Sequence, residues 1–510
     1  MTRIIPYIVL SVALLPWLHL QLSAITPGDA AFLIHGARQL LNGHSMVEYY
    51  YDTNLPMSFL VYIPVVLLEQ VLHIPAYMVS NIYTLIVIII ALISMRLSLR
   101  LDKDLSPNTK FLALSSAALA MTIPIITEFG QKDHLIAIAL IPFIIAQRSI
   151  TQNPNNQKIG TLVTLCLFTP FILIKPHYGL IPTAIILHRI ITQKRLKTAF
   201  DYDVVSLAIG TIAYITYTYT FHFDFIDEIL PMAYGLYASQ PISNDTILNA
   251  CIFFAFTTII YGIIKFTSAK TDKEEKEKEL ALFFSIAAVL SIIPFGVQNK
   301  GFSLHLIPTI VLLLTSLGIY LNVIIQKRIP AIVSTLIASL LLYGYIYGAY
   351  LSRGYPVTHK NYQKSDIAKI IEKHTDDYDS LFIEDNTTCA LFTSALYTNN
   401  IIASRFPSMW GINGALSINN ENEKIETLDY FGKLIADDFN RFKPKAIFFM
   451  LNRDQKSPLQ VIYDKHEPFQ DALSNYKYEE TIEIDDIYPC YRGEEKEDKT
   501  LLLKIYTREE

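Results

Sequence analysis

Charged residues are scarce: they make up 17% of 510 residues, where a soluble chain carries about a quarter. The shortage is uneven. Long apolar runs fill the first two thirds, and the last third is ordinary in polarity. That pattern excludes a wholly soluble protein and indicates a polytopic membrane protein with a soluble tail. A strong charge of either sign is also missing. The formal net charge is −5, which argues against nucleic acid as a partner. Cysteine is rare, at four residues, and none has metal-ligand spacing. Cys166 and Cys251 fall in apolar runs, where a plain core thiol is the ordinary reading. Cys389 and Cys490 both lie in the tail, and pairing between them is open if the tail is extracytoplasmic. There is no internal repeat, and low complexity is confined to the charged run KTDKEEKEKE at 270–279.

Apolar runs cover approximately 4–24, 58–74, 77–98, 111–127, 135–148, 159–174, 177–191, 203–221, 247–267, 280–297, 303–325 and 330–350. The first has the look of a signal peptide, but Pro16, Trp17 and His19 interrupt its core and many spans follow, so it reads as a retained helix. Lysine and arginine gather on the cytoplasmic side of a membrane. Arg96, Arg100, Lys103 and Lys110 form one cluster, Arg148 and Lys158 a second, and Arg189, Lys194, Arg195 and Lys197 a third. The run at 270–279 and Lys327-Arg328 complete the set. All five share one side if 58–74, which carries Pro64 and Glu69, does not cross. The expectation is therefore about eleven spans, with the N-terminus inside and the tail outside.

Residues 1–354 then form the membrane domain, with a first extracytoplasmic loop at 25–57, and 355–510 form a small extracytoplasmic α/β domain. In the tail, SDIAKIIEKH (365–374) and IETLDYFGKLIADDFNRF (425–442) read as helices. SLFIED (380–385), KAIFFML (445–451) and TLLLKIYT (500–507) read as strands.

This topology gathers polar residues on the outer face. The first loop brings Asp29. TEFGQKDHL (127–135) brings Glu128, Lys132, Asp133 and His134. IKPHYG (174–179) brings Lys175 and His177, HFDFIDE (222–228) adds further acids, and QNKGFSLHLIP (298–308) brings Lys300 and His305. Charge near hydrocarbon is costly, about 2.5–3.5 kcal/mol at a span centre. Carboxylates and cations recurring at one depth satisfy one another and suit a bound anion. Paired acids serve as a general base and its support, or hold a divalent cation; lysines and histidines suit a phosphate. Each residue also has a plainer reading. Asp29 caps a helix starting at Ala30, Lys175 and Lys300 snorkel, His305 packs, Glu128 pairs with Lys132, and Tyr49–Tyr51 form an interfacial belt. Convergence on one face favours a site.

The segments GDAAFLIHGARQLLNG and YYYDTNLPMSFL, with FGQKDHL, IKPHYGL and NKGFSLHLIP, resemble the GT-C superfamily of membrane glycosyltransferases. The nearest branch is that of the bacterial protein O-mannosyltransferases and lipid A aminoarabinose transferases, and SRFPSMWG (404–411) is similar to a tail element of that group. The resemblance implies a sugar transferase that uses a polyprenyl-phosphate-linked donor outside the cytoplasmic (inner) membrane. It implies Asp29 as catalytic base, with Asp133 in support. Lys132, Lys175, His177 and Lys300 would meet the donor phosphate, and Glu128, His134, His305 and Tyr50 would line the substrates. The resemblance fixes no cofactor: a divalent cation at Asp29 and Asp133 is compatible with a family that is divided on metal use. The chain departs from the pattern at Ala30, where many members have Glu, so the role of a second acid is either absent or supplied by Glu48, Asp52 or Glu128. The implied partners are the donor lipid, a lipid, glycan or protein acceptor, and membrane lipids. The competing function is a transporter or flippase of lipid-linked saccharide, which calls for broken helices meeting at mid-membrane within related halves; neither is legible here.

Overall fold

The computed structural model describes residues 5–238, 244–269, 271–325, 331–353, 358–384, 389–451, 458–463, 465–484 and 501–508. Cys490, and with it the Cys389–Cys490 pairing, lies outside the described residues. Among those described, seven helices are long and apolar enough to cross a membrane: Ile5–Ser23, Ala76–Leu101, Lys132–Gln152, Tyr202–Phe221, Thr246–Phe266, Asp272–Gln298 and Ser303–Leu321. The protein is a polytopic helical membrane protein in this coarse sense. The other four of the eleven expected spans correspond to Pro107–Ala120, the helical stretch 157–172, Leu180–Gln193 and Ala331–Arg353. A helix of 14 residues such as Pro107–Ala120 rises about 21 Å, short of the ~30 Å hydrocarbon thickness.

The run at 58–74 is broken. Met57–Leu60 and Ile63–Leu72 are separate helices, and the longer rises only about 15 Å. Glu69 on it pairs with Arg38 of the Gly28–Leu41 helix at 2.6 Å. The run is therefore tied alongside the first loop.

The Lys132–Gln152 helix is enclosed along nearly its whole length. Its C-terminal end enters a buried ion cluster. Arg148 Nε donates to Asp102 Oδ2 at 3.1 Å. Arg189, fully buried, reaches Asp203 Oδ2 at 2.8 Å and Gln147 Oε1 at 2.7 Å. Such buried charges survive because each is paired and hydrogen-bonded. Asp133 and Arg148, at opposite ends of the helix, lie about 22 Å apart along its axis. The polar residues thus form two layers with apolar packing between them.

The tail carries a five-stranded sheet, β1 Ser380–Glu384, β2 Ile401–Ile402, β3 Ala446–Leu451, β4 Tyr476–Ile484 and β5 Leu501–Arg508, in the order β2-β1-β3-β5-β4. β1 runs parallel to β2 and β3, while β5 is antiparallel to β3 and β4. Asp366–His374 starts where Ser365 accepts from the Ala368 amide at 3.4 Å. Glu421–Phe442 covers one face of the sheet through Phe439, which packs edge-on to Phe382 at 4.8 Å. β2 and β4 are additions to the sequence reading; β2 is two residues long and β4 is mostly polar.

The tail packs against the first loop. Phe392 meets Phe32 at 4.9 Å, and the Thr26 amide donates to the Tyr397 hydroxyl at 3.2 Å. The Gly28–Leu41 helix is consequently buried from Ala30 to Ala37.

Candidate functional site

Asp29 lies in the first turn of the Gly28–Leu41 helix, which begins after Pro27. A carboxylate there complements the positive end of the helix. Asp133 holds the same place in the Lys132–Gln152 helix. The chain enters that helix through a tight turn at Gly130, φ +79°. A Cβ there would stand 2.6 Å from Thr84 Oγ1, so glycine alone fits the turn against the Ala76–Leu101 helix. Tyr62 donates to the Gly130 carbonyl at 2.6 Å. His134 Nδ1 accepts from the Gly130 amide at 3.0 Å, and its Nε2 donates to the Met121 carbonyl at 2.8 Å. Both ring nitrogens of His134 are thus engaged in holding the turn. The ring is fully buried and has a structural role at the turn.

The turn delivers two adjacent side chains to different partners. Lys132 Nζ lies 3.0 Å from Asp29 Oδ2, and Gln131 Nε2 donates to the same oxygen at 3.3 Å. Lys175 Nζ donates to the two oxygens of Asp133 at 3.0 and 2.7 Å, and also to Gln298 Oε1. His305 Nδ1 stands 3.2 Å from Asp133 Oδ2 and 3.1 Å from Lys175 Nζ. The Tyr178 hydroxyl is 3.3 Å from Asp133 Oδ1 and 3.1 Å from the His305 carbonyl oxygen. Asp133 is wholly buried, while the Asp29 side chain is about a quarter exposed. Asp29 is therefore the more accessible of the two carboxylates, and Asp133 the enclosed one.

Other groups surround this pair. Glu128 is half-buried; burial, reinforced by the Asp29 and Asp133 charges, pushes its carboxyl up to about 8, so it is largely protonated at neutral pH. Asp52 is buried and accepts from the Asn54 amide at 3.2 Å. Burial raises its carboxyl, opposed by Lys132. Tyr237 faces Lys132, Asp52 and Asp29, and its phenol is pushed up to about 12, chiefly by burial. Lys300 lies 3.6 Å above the Tyr237 ring and donates to the Tyr237 carbonyl at 2.6 Å. Among the described residues its partners are neutral, unlike those of Lys132 and Lys175. His177 Nε2 has no hydrogen-bond partner among the described residues.

Tyr50 lies elsewhere. It is fully buried, packs edge-on to Phe59 at 5.0 Å and directs its hydroxyl to the His44 carbonyl at 3.4 Å. Tyr51 is buried as well. These two tyrosines are core residues, not an interfacial belt: Tyr50 packs within the membrane domain, and Tyr51 packs against Phe406 and Trp410 of the tail.

No protein-family model matches this chain, and no curated protein matches it either.

The arrangement itself limits the chemistry. Among the described residues no group of three or more His, Cys, Asp or Glu is disposed to hold a metal ion. The positive charge beside each carboxylate comes from a lysine. A quarter-exposed acid, an acid whose carboxyl is pushed up by burial, and a lysine whose partners among the described residues are neutral share one end of the helices. Such a set can take a proton from a hydroxyl and meet an anion at the same time. Tyr178 and Tyr237 escaped selection from the sequence. Tyr178 sits in IKPHYG beside two residues that were selected, whereas nothing in the local pattern marks Tyr237.

Proposed function

We propose that this protein is an integral-membrane glycosyltransferase with a GT-C-like fold. It moves a sugar from a polyprenyl-phosphate donor to a lipid, glycan or protein acceptor outside the cytoplasmic membrane. One observation supports the reading: the quarter-exposed Asp29 pairs with Lys132, whose neighbour at the start of the same helix is the enclosed Asp133. Asp29 accepts the proton of the acceptor hydroxyl as its oxygen bonds the anomeric carbon. The bond from that carbon to the phosphate oxygen breaks, and the polyprenyl phosphate leaves with the electron pair. Direct displacement inverts the anomeric centre. Lys132 and Gln131 hold Asp29 in line for this attack. Lys300 is the best-suited cation for the leaving phosphate, because neutral groups leave its charge uncompensated. His177 offers the phosphate its unpartnered Nε2. Lys132 and Lys175, each already beside a carboxylate, act on the phosphate at longer range.

Asp29→Asn tests the reading. It keeps the shape and removes the proton acceptor, so transfer from a polyprenyl-phosphate donor in proteoliposomes should fall by about 10²–10⁴-fold. Wild-type rates in the variant would remove Asp29 from the mechanism. Movement of intact donor lipid without glycosidic product would make the protein a flippase.

A further inference from the structure

The end of the bundle away from Asp133 carries a short connection between the Leu180–Gln193 and Tyr202–Phe221 helices. Lys194 closes the first helix in the left-handed region, φ +50°, and the chain turns through Leu196–Phe200 to Asp201. This connection is fixed from inside. Arg189, fully buried, meets Asp203 at 2.8 Å and Asp201 at 3.5 Å, and donates to the Thr198 carbonyl at 3.4 Å. The Thr198 hydroxyl donates to Gln193 Oε1 at 2.9 Å, and Gln193 Nε2 donates to the Ile150 and Thr151 carbonyls, both at 3.3 Å. Arg189 also donates to Gln147, so this layer lies about 21 Å along the Lys132–Gln152 helix from Asp133.

The acids of the connection are thereby turned inward: the Asp201 and Asp203 side chains are 12% and 1% exposed. The bases are turned outward. Lys194, Arg195 and Lys197 are exposed, and no carboxylate pairs with them among the described residues. Large apolar side chains stand out among them: Leu196 is 82% exposed, Phe200 79% and Tyr202 72%. Groups left this bare in water forgo the gain of burial; at a bilayer boundary they seat among acyl chains. The Leu180–Gln193 helix has 14 residues and rises about 21 Å, against ~30 Å of hydrocarbon. Its end is drawn to that boundary, where lysine and arginine stems lie along the chains and their heads reach the phosphates. The run 272–279 shows the contrast. Five acids meet three lysines there, and Lys276 and Lys278 pair with Glu279 and Glu275 at 3.2 and 2.9 Å. Its charge is compensated within the run.

We propose that residues 194–202 form a docking site for the headgroups of anionic phospholipids, at the end of the bundle opposite Asp29 and Asp133. Lys194, Arg195 and Lys197 meet the phosphates, and Leu196, Phe200 and Tyr202 enter the acyl layer. A zwitterionic headgroup brings its own cation and leaves three bases uncompensated; an anionic one does not. Each base beside an anionic surface is worth about fivefold in binding. The site stands whether or not the protein transfers sugar.

The test places the full chain in phosphatidylcholine vesicles and reads tryptophan quenching in Phe200→Trp, with the wild-type signal of Trp17 and Trp410 subtracted. Brominated phosphatidylglycerol and brominated phosphatidylcholine are compared at equal mole fraction. The anionic lipid should associate at least about fivefold more strongly, the equivalent of one such contact. Lys194→Gln/Arg195→Gln/Lys197→Gln in the same background should bring the ratio to about one. Phe266→Trp, a side chain 87% exposed near the compensated run, is the control and should show no preference. Equal quenching by the two lipids at Phe200→Trp overturns the proposal, as does a preference that survives the triple change or recurs at Phe266→Trp. Loss of the preference in 10 mM inorganic phosphate would make this a site for soluble anions. Absence of quenching by either lipid would put the loop outside the bilayer, open to a protein partner, and would equally overturn it. If Phe200→Trp does not fold, Tyr202→Trp reports from the same loop and the same outcomes decide.

Discussion

Replacing Asp133 by alanine takes one partner from a buried ion pair and leaves the other in place. Lys175 is 8% exposed and lies 2.7 and 3.0 Å from the two carboxylate oxygens. Without Asp133 its hydrogen-bond partners among the described residues are the neutral Gln298 and His305. Removing one member of such a pair costs about 3–5 kcal/mol, whereas removing both is often near neutral. Asp133→Ala should therefore destabilise by about 3–5 kcal/mol, and Asp133→Ala/Lys175→Met by clearly less than that single change. The Asp29–Lys132 pair is the internal comparison. Its lysine is as buried as Lys175 but its carboxylate is 25% exposed, so Asp29→Ala should cost less than Asp133→Ala. The assay is a double-mutant cycle, with unfolding by SDS in mixed micelles followed by fluorescence. Additivity of Asp133→Ala and Lys175→Met within about 0.3–0.5 kcal/mol would refute the reasoning. So would equal costs for Asp133→Ala and Asp29→Ala.

Two more expectations follow from geometry and charge. Glu128 titrates at about 8 in the folded protein against an ordinary 4.5, so the folded state holds the extra proton between these values. Its contribution to stability is complete below about pH 4.5 and declines as pH rises to about 8; Glu128→Gln should flatten that slope in unfolding measured across this range. At Gly414 a Cβ would sit 2.7 Å from Leu236 Cβ and 2.8 Å from its carbonyl oxygen. Gly414→Ala should cost about 1–3 kcal/mol and speed proteolytic release of the tail, while Gly262→Ala, with open space around it, should not.

Local signals marked the individual elements well. Ser365 before an apolar-periodic stretch marks the Asp366–His374 helix, and the continuous apolar runs around Phe382 and Phe448 mark β1 and β3. Such features are written within a few residues. Gathering polar loops on one side by the position of the basic clusters also led to Asp29, Asp133, Lys132 and Lys175 before any geometry was considered. What was not legible depended on distance along the chain. Tyr51 looks like a membrane-interface tyrosine until Phe406 and Trp410 of the tail pack against it. His134 looks like a ligand until its two nitrogens find Gly130 and Met121. Arg405 looks like one tail arginine among others until Asp438, 33 residues on, and Val47, 358 residues back, define its place. Span counting met a physical ambiguity as well, because several helices here are shorter than a bilayer is thick.

The bonds around Asp133 also impose an order on synthesis. Lys175 is made 42 residues after Asp133, and His305 follows it by 172. At bacterial-to-eukaryotic elongation rates of about 5–20 residues per second, the carboxylate waits roughly 2–8 s for its lysine and 9–34 s for its histidine. During that interval the Lys132–Gln152 helix has left the ribosome with an acid at one end that no mature partner covers. The helix that ends most deeply enclosed is thus completed only once partners far along the chain have been made.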